Sequence, residues 1–393
     1  MTNIVPEALS SNSILRDRTQ RICTRCVMDT TDPDIIFDEE GVCNHCHSYD
    51  DQIHRHVFSG ELGKAKVFEL AEKIKKEGKG KPYDCIIGLS GGVDSTFTAY
   101  TVKKLGLRPL AVHLDNGWDS ALAVKNIESA LKTLSIDLYT HVLDWNEYRD
   151  LQLAFIKAST PDLEIPTDHA IVALLYDVAR SHRVRYVISG CNARTESHLP
   201  PAWSQGHWDW GYIKTVAKLS GVTQFKSYPH MNFFRYHWNL RHCEWIDILN
   251  FIDYVKRDAL KILEDQLGWT NYGGKHFESI YTRFYQGYFL LKKFGFDKRK
   301  CHLSSLICSG EITREYALKE LEKSTYPMEI QKQDFEYVAK KFRISEAELN
   351  QLIALPKKSY WEYASYGKFQ KTFLFRILQI LFRWVTRSTP TNS

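Results

Sequence analysis

Hydrophobic and polar positions alternate in two different ways along the chain, and the change between them marks its organisation. From residue 84 to about residue 190, short apolar runs at 85–89, 110–114, 138–143 and 186–189 are separated by stretches with helical spacing at 94–105, 119–134, 146–158 and 168–182. Strands separated by helices make βαβ units, so this part predicts a parallel-sheet α/β domain. Beyond residue 200 the chain becomes rich in Trp, Tyr, Phe and His, and helical spacing takes over at 245–266, 277–294, 313–323 and 345–354. A mainly helical second domain follows from that.

The ends carry their own signals. Residues 1–20 are polar, and 61–79 places Leu62, Val67, Leu70, Ala71 and Ile74 at helical spacing among lysines before Gly78, Gly80 and Pro82 break the pattern. Residues 369–387 are apolar except for Arg376, Gln379, Arg383 and Arg387, which share one face of a helix. Such a helix packs on a partner or lies on a membrane surface. The expected organisation is a flexible lead-in at 1–20, a cysteine module at 21–60, a linker helix at 61–82, a nucleotide domain at 83–200, a helical substrate or partner domain at 201–357 and an amphipathic tail at 358–393.

Composition narrows the class without choosing the substrate. With 393 residues, 44% of them hydrophobic, the chain can build more than one core. A net charge of +5 suits an anionic small molecule as well as a nucleic acid. The first twenty residues carry Glu7, Arg16 and Arg18 and hold no apolar run of leader length, and no uncharged stretch is long enough to span a bilayer. The expected location is the cytoplasm, with the tail as a contact to the inner face of the membrane.

The most informative segment is Leu89, Ser90, Gly91, Gly92, Val93, Asp94 and Ser95, which follows a strand and opens a helix. A glycine turn there presents backbone N–H groups to phosphate oxygens. Gly91 and Gly92 allow close approach, Ser90 and Ser95 add hydroxyls, and Asp94 is a carboxylate suited to Mg²⁺. No Lys-Ser/Thr follows the glycines, so this is not a Walker A loop, and an ordinary turn of small residues is the plain alternative. The segment resembles the S-G-G-x-D-S loop of the ATP pyrophosphatase (PP-loop) superfamily, which implies ATP cleavage between the α and β phosphates. Ligands in open α/β sheets lie at the carboxyl ends of the strands. That places His113 and Asp115 from one strand end, and Ser189 and Gly190 from another, as ATP contacts, with Asp115 and Asn116 also readable as turn formers before Gly117.

Nine cysteines include the pairs Cys23/Cys26 and Cys43/Cys46, separated by sixteen residues. That spacing reads as a zinc ribbon in which four thiolates close the shell of a structural Zn²⁺. His45 or His47 can replace one ligand, and four cysteines also suit an iron–sulfur cluster.

From Arg21 to the end of the helical region, the chain resembles the N-acetyl sugar amidotransferase family of bacterial surface-polysaccharide synthesis, LPS O-antigen included. The residues that carry the resemblance are Ile22 through Asp29, the loop at 89–95, Pro166-Thr167-Asp168-His169, Asn192-Ala193-Arg194-Thr195-Glu196, Gly273-Gly274-Lys275-His276-Phe277-Glu278-Ser279, the run 282–287 and the run 293–300. The resemblance implies that the acetamido group of an acidic, nucleotide-linked N-acetyl sugar becomes an acetamidino group. An amide oxygen is a poor leaving group, so AMP is attached to it first and ammonia then displaces AMP. Both steps gather charge on phosphate and call for cationic clamps.

Lys275 is the candidate phosphate clamp and, with Asp94, the candidate catalytic pair; a solvated lysine in a glycine turn is the other reading. Asn192, Arg194, Glu196 and Arg283 are candidate sugar or diphosphate contacts, the arginines doubling as structural ion-pair partners. His169 and His276 are candidates for proton transfer, or simply polar packing. No glutaminase pattern surrounds Cys191, Cys243, Cys301 or Cys308, so the family implies a separate glutaminase, with a cyclase-like subunit as ammonia channel. No nucleic-acid partner is expected. The rival reading is a PP-loop tRNA thiolase with a zinc module, but no C-x-x-C follows Cys46 to serve it.

Overall fold

The computed structural model describes residues 21–274 and 277–370. Lys275, His276 and the expected tail helix beyond residue 370 lie outside the described residues.

Five strands form one parallel sheet in the order β3-β2-β1-β4-β5: β1 Cys85–Gly88, β2 Pro109–Asp115, β3 Asp137–Val142, β4 Tyr186–Ser189 and β5 Glu244–Asp247. The parallel α/β domain expected from the pattern is the one observed. Its inner strands β1, β2 and β4 read as nearly unbroken apolar runs because helices cover both faces, whereas the edge strand β3 is exposed. Along β1, Ile86 points into one core with Leu110, Val112 and Val187, while Cys85 and Ile87 point into the other with Ala111, Ile188 and Ile246. The first core is closed by the helices α5 (Trp145–Ala158) and α6 (Ile165–Ser181), through Phe155, Ala170 and Leu174. The second is closed by α2 (Gly60–Glu77), α3 (Val93–Lys104) and α4 (Ala121–Leu134) through Ile74, Val102 and Ile127.

Two boundaries differ from the sequence reading. The segment expected to be a linker helix buries Val67, Ala71 and Ile74 in the sheet's second core, so α2 is a full member of the α/β layer. The nucleotide region does not end at residue 200, because β5 supplies the sheet's edge and the helix Lys256–Leu267 buries Ala259, Leu263 and Leu267 in the same core. A four-residue edge strand between two helices shows too few alternating positions to stand out from helical spacing. The later region is otherwise helical as expected, with Tyr281, Phe284, Phe335 and Phe342 joining the first core beside Trp118.

The cysteine module starts with a bridge between Ile22 and Asp29, adds a second between Phe37 and Cys43, and continues into α1 (Asn44–His56). The helix Arg299–Cys308 and its neighbour hold it in place: Val27 N donates to Ser304 Oγ at 3.2 Å, and the Arg314 guanidinium donates to the carbonyls of Cys23 and Cys26, both at 2.9 Å. Among the described residues, no helix is long and apolar enough to cross a membrane.

Candidate functional site

Strand order reverses at β1, since β2 lies on one side of it and β4 on the other. The loop after β1 therefore opens into the crevice where open parallel sheets bind ligands. Gly91 has φ +80°, and a Cβ there would stand 2.7 Å from the Ala123 carbonyl oxygen. Only glycine satisfies both conditions. Trp269 Nε1 donates to the Gly91 carbonyl at 3.0 Å, fixing the turn from above. Gly92 caps α3 with no side chain of its own, and Ser95 Oγ stands 3.1 Å from Ser90 Oγ while donating to the Gly92 carbonyl at 3.2 Å. Gly190, after β4, lies so close that a Cβ would stand 2.9 Å from the carbonyl carbon and oxygen of Asp94. The loops after β1 and β4 thus form one floor of backbone N–H groups, hydroxyls and the Asp94 carboxylate.

Asp94 accepts a hydrogen bond from the Tyr254 hydroxyl. Burial, and then the charge of Asp94, push the Tyr254 phenol well above its ordinary range, so it stays a donor. Tyr272 and Glu278 stand at the same loop: a Cβ on Gly92 would be 3.4 Å from the Tyr272 hydroxyl and 3.3 Å from Glu278 Oε1. Glu278 lies within the motif 273–279 but is not among the expected site residues, while Tyr254 and Tyr272 carry no local sequence signal, because each reaches the loop from far along the chain.

The other expected ATP contacts are held differently. His113 Nδ1 lies 2.9 Å from the Leu89 carbonyl and Nε2 lies 3.1 Å from Asp119 Oδ2. Both partners only accept, so the ring is a cation that braces the base of the loop. Burial opposes that charge, but Asp119 outweighs it and the net shift is upward. Asp115 accepts from Gly117 N at 2.9 Å, the turn-forming role, and Ser189 Oγ accepts from Cys191 N at 3.0 Å.

The expected substrate residues separate. Asn192 caps the short helix α7 (Ala193–Glu196), which carries Glu196, by accepting from Thr195 N at 3.0 Å. Arg194 donates to the Ile252 carbonyl at 2.5 Å and to Ser59 Oγ at 2.9 Å, which ties β4's loop to the edge of the sheet. Arg283 is in a two-pronged pair with Asp334, at 2.8 and 2.7 Å. His169 is buried, with Nδ1 at 2.7 Å from the His207 carbonyl and Nε2 accepting from Met231 N at 3.0 Å. Burial lowers its pKa to about 4, so it is a neutral packing histidine. Arg194, Arg283 and His169 are thus engaged inside the protein, because distant partners that no local pattern reveals satisfy their polar groups.

A group of carboxyls is tied to the segment 278–282 through Thr282. Asp162 and Asp168 flank His207 at 3.4 and 3.1 Å, and their charges outweigh burial to raise the imidazole to about 10. Glu164 is half-buried; desolvation first, then Asp168 and Asp162, raise it to about 8. Its Oε2 accepts from Thr282 Oγ1 at 3.0 Å, while Oε1 has no hydrogen-bond partner. The run 278–282 joins this group to the glycine turn at 89–95, since Glu278 stands over Gly92 and Thr282 holds Glu164.

The four expected cysteines converge and are fully buried. Their sulfurs are 3.9 Å (Cys23–Cys46), 3.7 Å (Cys26–Cys43) and 3.8 Å (Cys43–Cys46) apart. Four ligands at about 2.3 Å from a tetrahedral ion stand about 3.8 Å from one another, so the cluster fits a metal. His45 and His47 are turned to Asp32 and Asp38, which leaves Cys46 as the fourth ligand.

Residues 278–376 match the family described as the WbpG-like C-terminal domain of LPS biosynthesis proteins. This bears out the resemblance read from the motifs, and it places Glu278, Thr282 and Arg283 at the head of the WbpG-like domain. An uncharacterized protein of Methanocaldococcus jannaschii is 27% identical over 320 residues, which cover 78% of this chain and 95% of that relative. Among solved structures, the NH3-dependent NAD synthetase of Campylobacter jejuni is similar at TM-score 0.28 and 18% identity, covering 51% of this chain and 83% of its own. The NMN synthetase of Francisella tularensis is similar at TM-score 0.31 and 14% identity, covering 75% and 98%. The fold class rests on the sheet order and not on these two scores.

Proposed function

We propose that the chain is an ATP-dependent, AMP- and pyrophosphate-forming amidotransferase that converts an acetamido group of an acidic N-acetyl sugar to an acetamidino group in LPS biosynthesis. One observation carries this reading: the WbpG-like domain begins on the phosphate loop itself. Glu278 stands over Gly92 and its carbonyl accepts from Ser120 N at 2.8 Å, while Ile280 N donates to the Trp118 carbonyl at 3.0 Å. The glycine turn and the head of the WbpG-like segment are thus in contact, which supports a shared site.

In this reading the loop at 89–95 holds the phosphates of ATP and Asp94 holds Mg²⁺, with Lys275 as the expected clamp on the leaving pyrophosphate. The amide oxygen of the sugar attacks the α phosphate, pyrophosphate leaves, and ammonia then adds to the activated carbon and expels AMP. Glu164, held by Thr282 with one oxygen unpartnered and its carboxyl raised to about 8, is suited in its ionised form to take the proton that the attacking nitrogen sheds. A separate glutaminase, with a channel subunit, supplies the ammonia, and zinc in the cysteine quartet is structural.

The test is to incubate the full chain with ATP, an acidic diacetamido sugar or its nucleotide, and either ammonium or glutamine. Exchange of O for NH with one AMP per product, driven by ammonium alone and by glutamine only when a glutaminase is added, is expected. Glutamine-driven turnover by the chain alone would refute the division of labour. AMP formation that requires tRNA and a sulfur donor would replace this reading with a thiolase.

A further inference from the structure

The cysteine quartet is not the limit of the thiolate cluster. Cys46 also faces two donors from distant parts of the chain: Cys308 Sγ at 3.8 Å and His198 Nε2 at 3.9 Å, which are 3.7 Å from each other. These are the separations found inside the quartet itself. With Zn–S near 2.3 Å and Zn–N near 2.0–2.1 Å, tetrahedral geometry sets neighbouring sulfurs about 3.8 Å apart and sulfur and nitrogen about 3.6 Å apart.

A second observation concerns the imidazole. His198 is completely buried, and its Nδ1 lies 2.9 Å from Ser305 Oγ. The Ser305 hydroxyl donates its own hydrogen to the Cys301 carbonyl at 3.2 Å, so its oxygen accepts from Nδ1–H. The proton is therefore on Nδ1, and Nε2 aims a bare lone pair at the two sulfurs. Metal-bound histidines are oriented by this kind of outer hydrogen bond. A histidine that served only as packing would leave that buried lone pair facing nothing better than two weak thiol donors.

We infer that Cys46, His198 and Cys308 hold a second metal ion, zinc by the chemistry of the donor set, and that the Cys46 thiolate bridges it to the ion of the quartet. Among the described residues this second group has three donors, so a water or another small ligand completes its shell. The ion joins segments 152, 262 and 110 residues apart in sequence. One of these is the stretch just after α7, downstream of the β4 loop whose Gly190 packs against Asp94. The second ion thereby fastens the cysteine module to the floor of the nucleotide site.

The measurement is the zinc content of the full chain, purified under reducing conditions with zinc and dialysed free of loose metal, by elemental analysis and native mass spectrometry. Two zinc ions per chain are expected, falling to one in Cys308→Ser and in His198→Gln. Reconstitution with two equivalents of Co²⁺ should give a weaker electron-paramagnetic-resonance signal per cobalt than the one-cobalt form, because a shared thiolate couples the two spins. One zinc per chain in the unaltered protein overturns the inference, as does a Cys46–Cys308 disulfide in the zinc-loaded protein. Two cobalt ions with undiminished signal overturn the bridge. Should either variant fail to fold, the stoichiometry and spin coupling of the unaltered chain decide.

Discussion

The Tyr254 hydroxyl donates to the Asp94 carboxylate, tying the first turn of α3 to a residue 160 positions downstream. Tyr254 lies just beyond β5, so the carboxylate that faces the ligand crevice is aimed from the sheet edge that the sequence pattern conceals. A hydrogen bond to a charged group contributes roughly 1.5–3 kcal/mol. Tyr254→Phe should therefore lower ATP turnover by about tenfold or more at unchanged fold. Asp94→Asn should reduce AMP formation below detection while circular dichroism stays native. Full activity in Asp94→Asn would remove Asp94 from the site.

Gly190→Ala tests the floor of the crevice. The added Cβ meets the Asp94 carbonyl carbon and oxygen at 2.9 Å and Ser95 N at 3.1 Å, all backbone atoms that cannot swing aside. Overpacking of this kind costs about 1–3 kcal/mol and pushes the two loops apart. ATP affinity, measured by calorimetry, should fall at least tenfold. An unchanged dissociation constant would show that the loop tolerates the shift and that Gly190 is not part of the nucleotide floor.

Arg283 should prove structural. Its guanidinium is paired with Asp334, whose side chain is only 5% exposed. Removing one partner of a buried pair leaves the other charge uncompensated, at a cost of about 3–5 kcal/mol. Arg283→Ala should shift the urea midpoint strongly, with KM for the sugar unchanged in the folded fraction. A raised KM at native stability would instead return Arg283 to the substrate.

Alkaline conditions should destabilise the protein through His207 and Glu164. His207 moves from 6.5 to about 10 on folding and Glu164 from 4.5 to about 8, so the folded chain holds protons that the unfolded chain releases. Stability then falls as pH rises, from Glu164 up to about 8 and from His207 between 6.5 and about 10. Thermal melts should drop steadily from pH 6.5 to 10. His207→Gln should start lower and lose the decline above pH 8. A flat profile in the unaltered protein would show that the half-buried His207 between Asp162 and Asp168 is not a cation.

Residues close together in sequence were readable because their chemistry is local. The turn from Leu89 to Ser95 needs only its own glycines and hydroxyls, each C-x-x-C pair sets two cysteines on one knuckle, and the apolar runs of β1, β2 and β4 report their double burial. Those features determined the α/β class, the glycine turn that opens α3 and the cysteine quartet.

What only the tertiary structure decided is which polar groups find partners. Arg194, Arg283 and His169 look like ligand contacts as isolated residues, yet Ile252, Asp334 and Met231 satisfy them from 58, 51 and 62 positions away. Conversely, Tyr254, Glu164, His198 and Cys308 lie in unremarkable local patterns and acquire chemistry only by juxtaposition. A buried polar group must be paired, and its partner comes from whichever segment packs against it. The strand order, with β5 brought from beyond residue 240 to the sheet's edge, chose those segments.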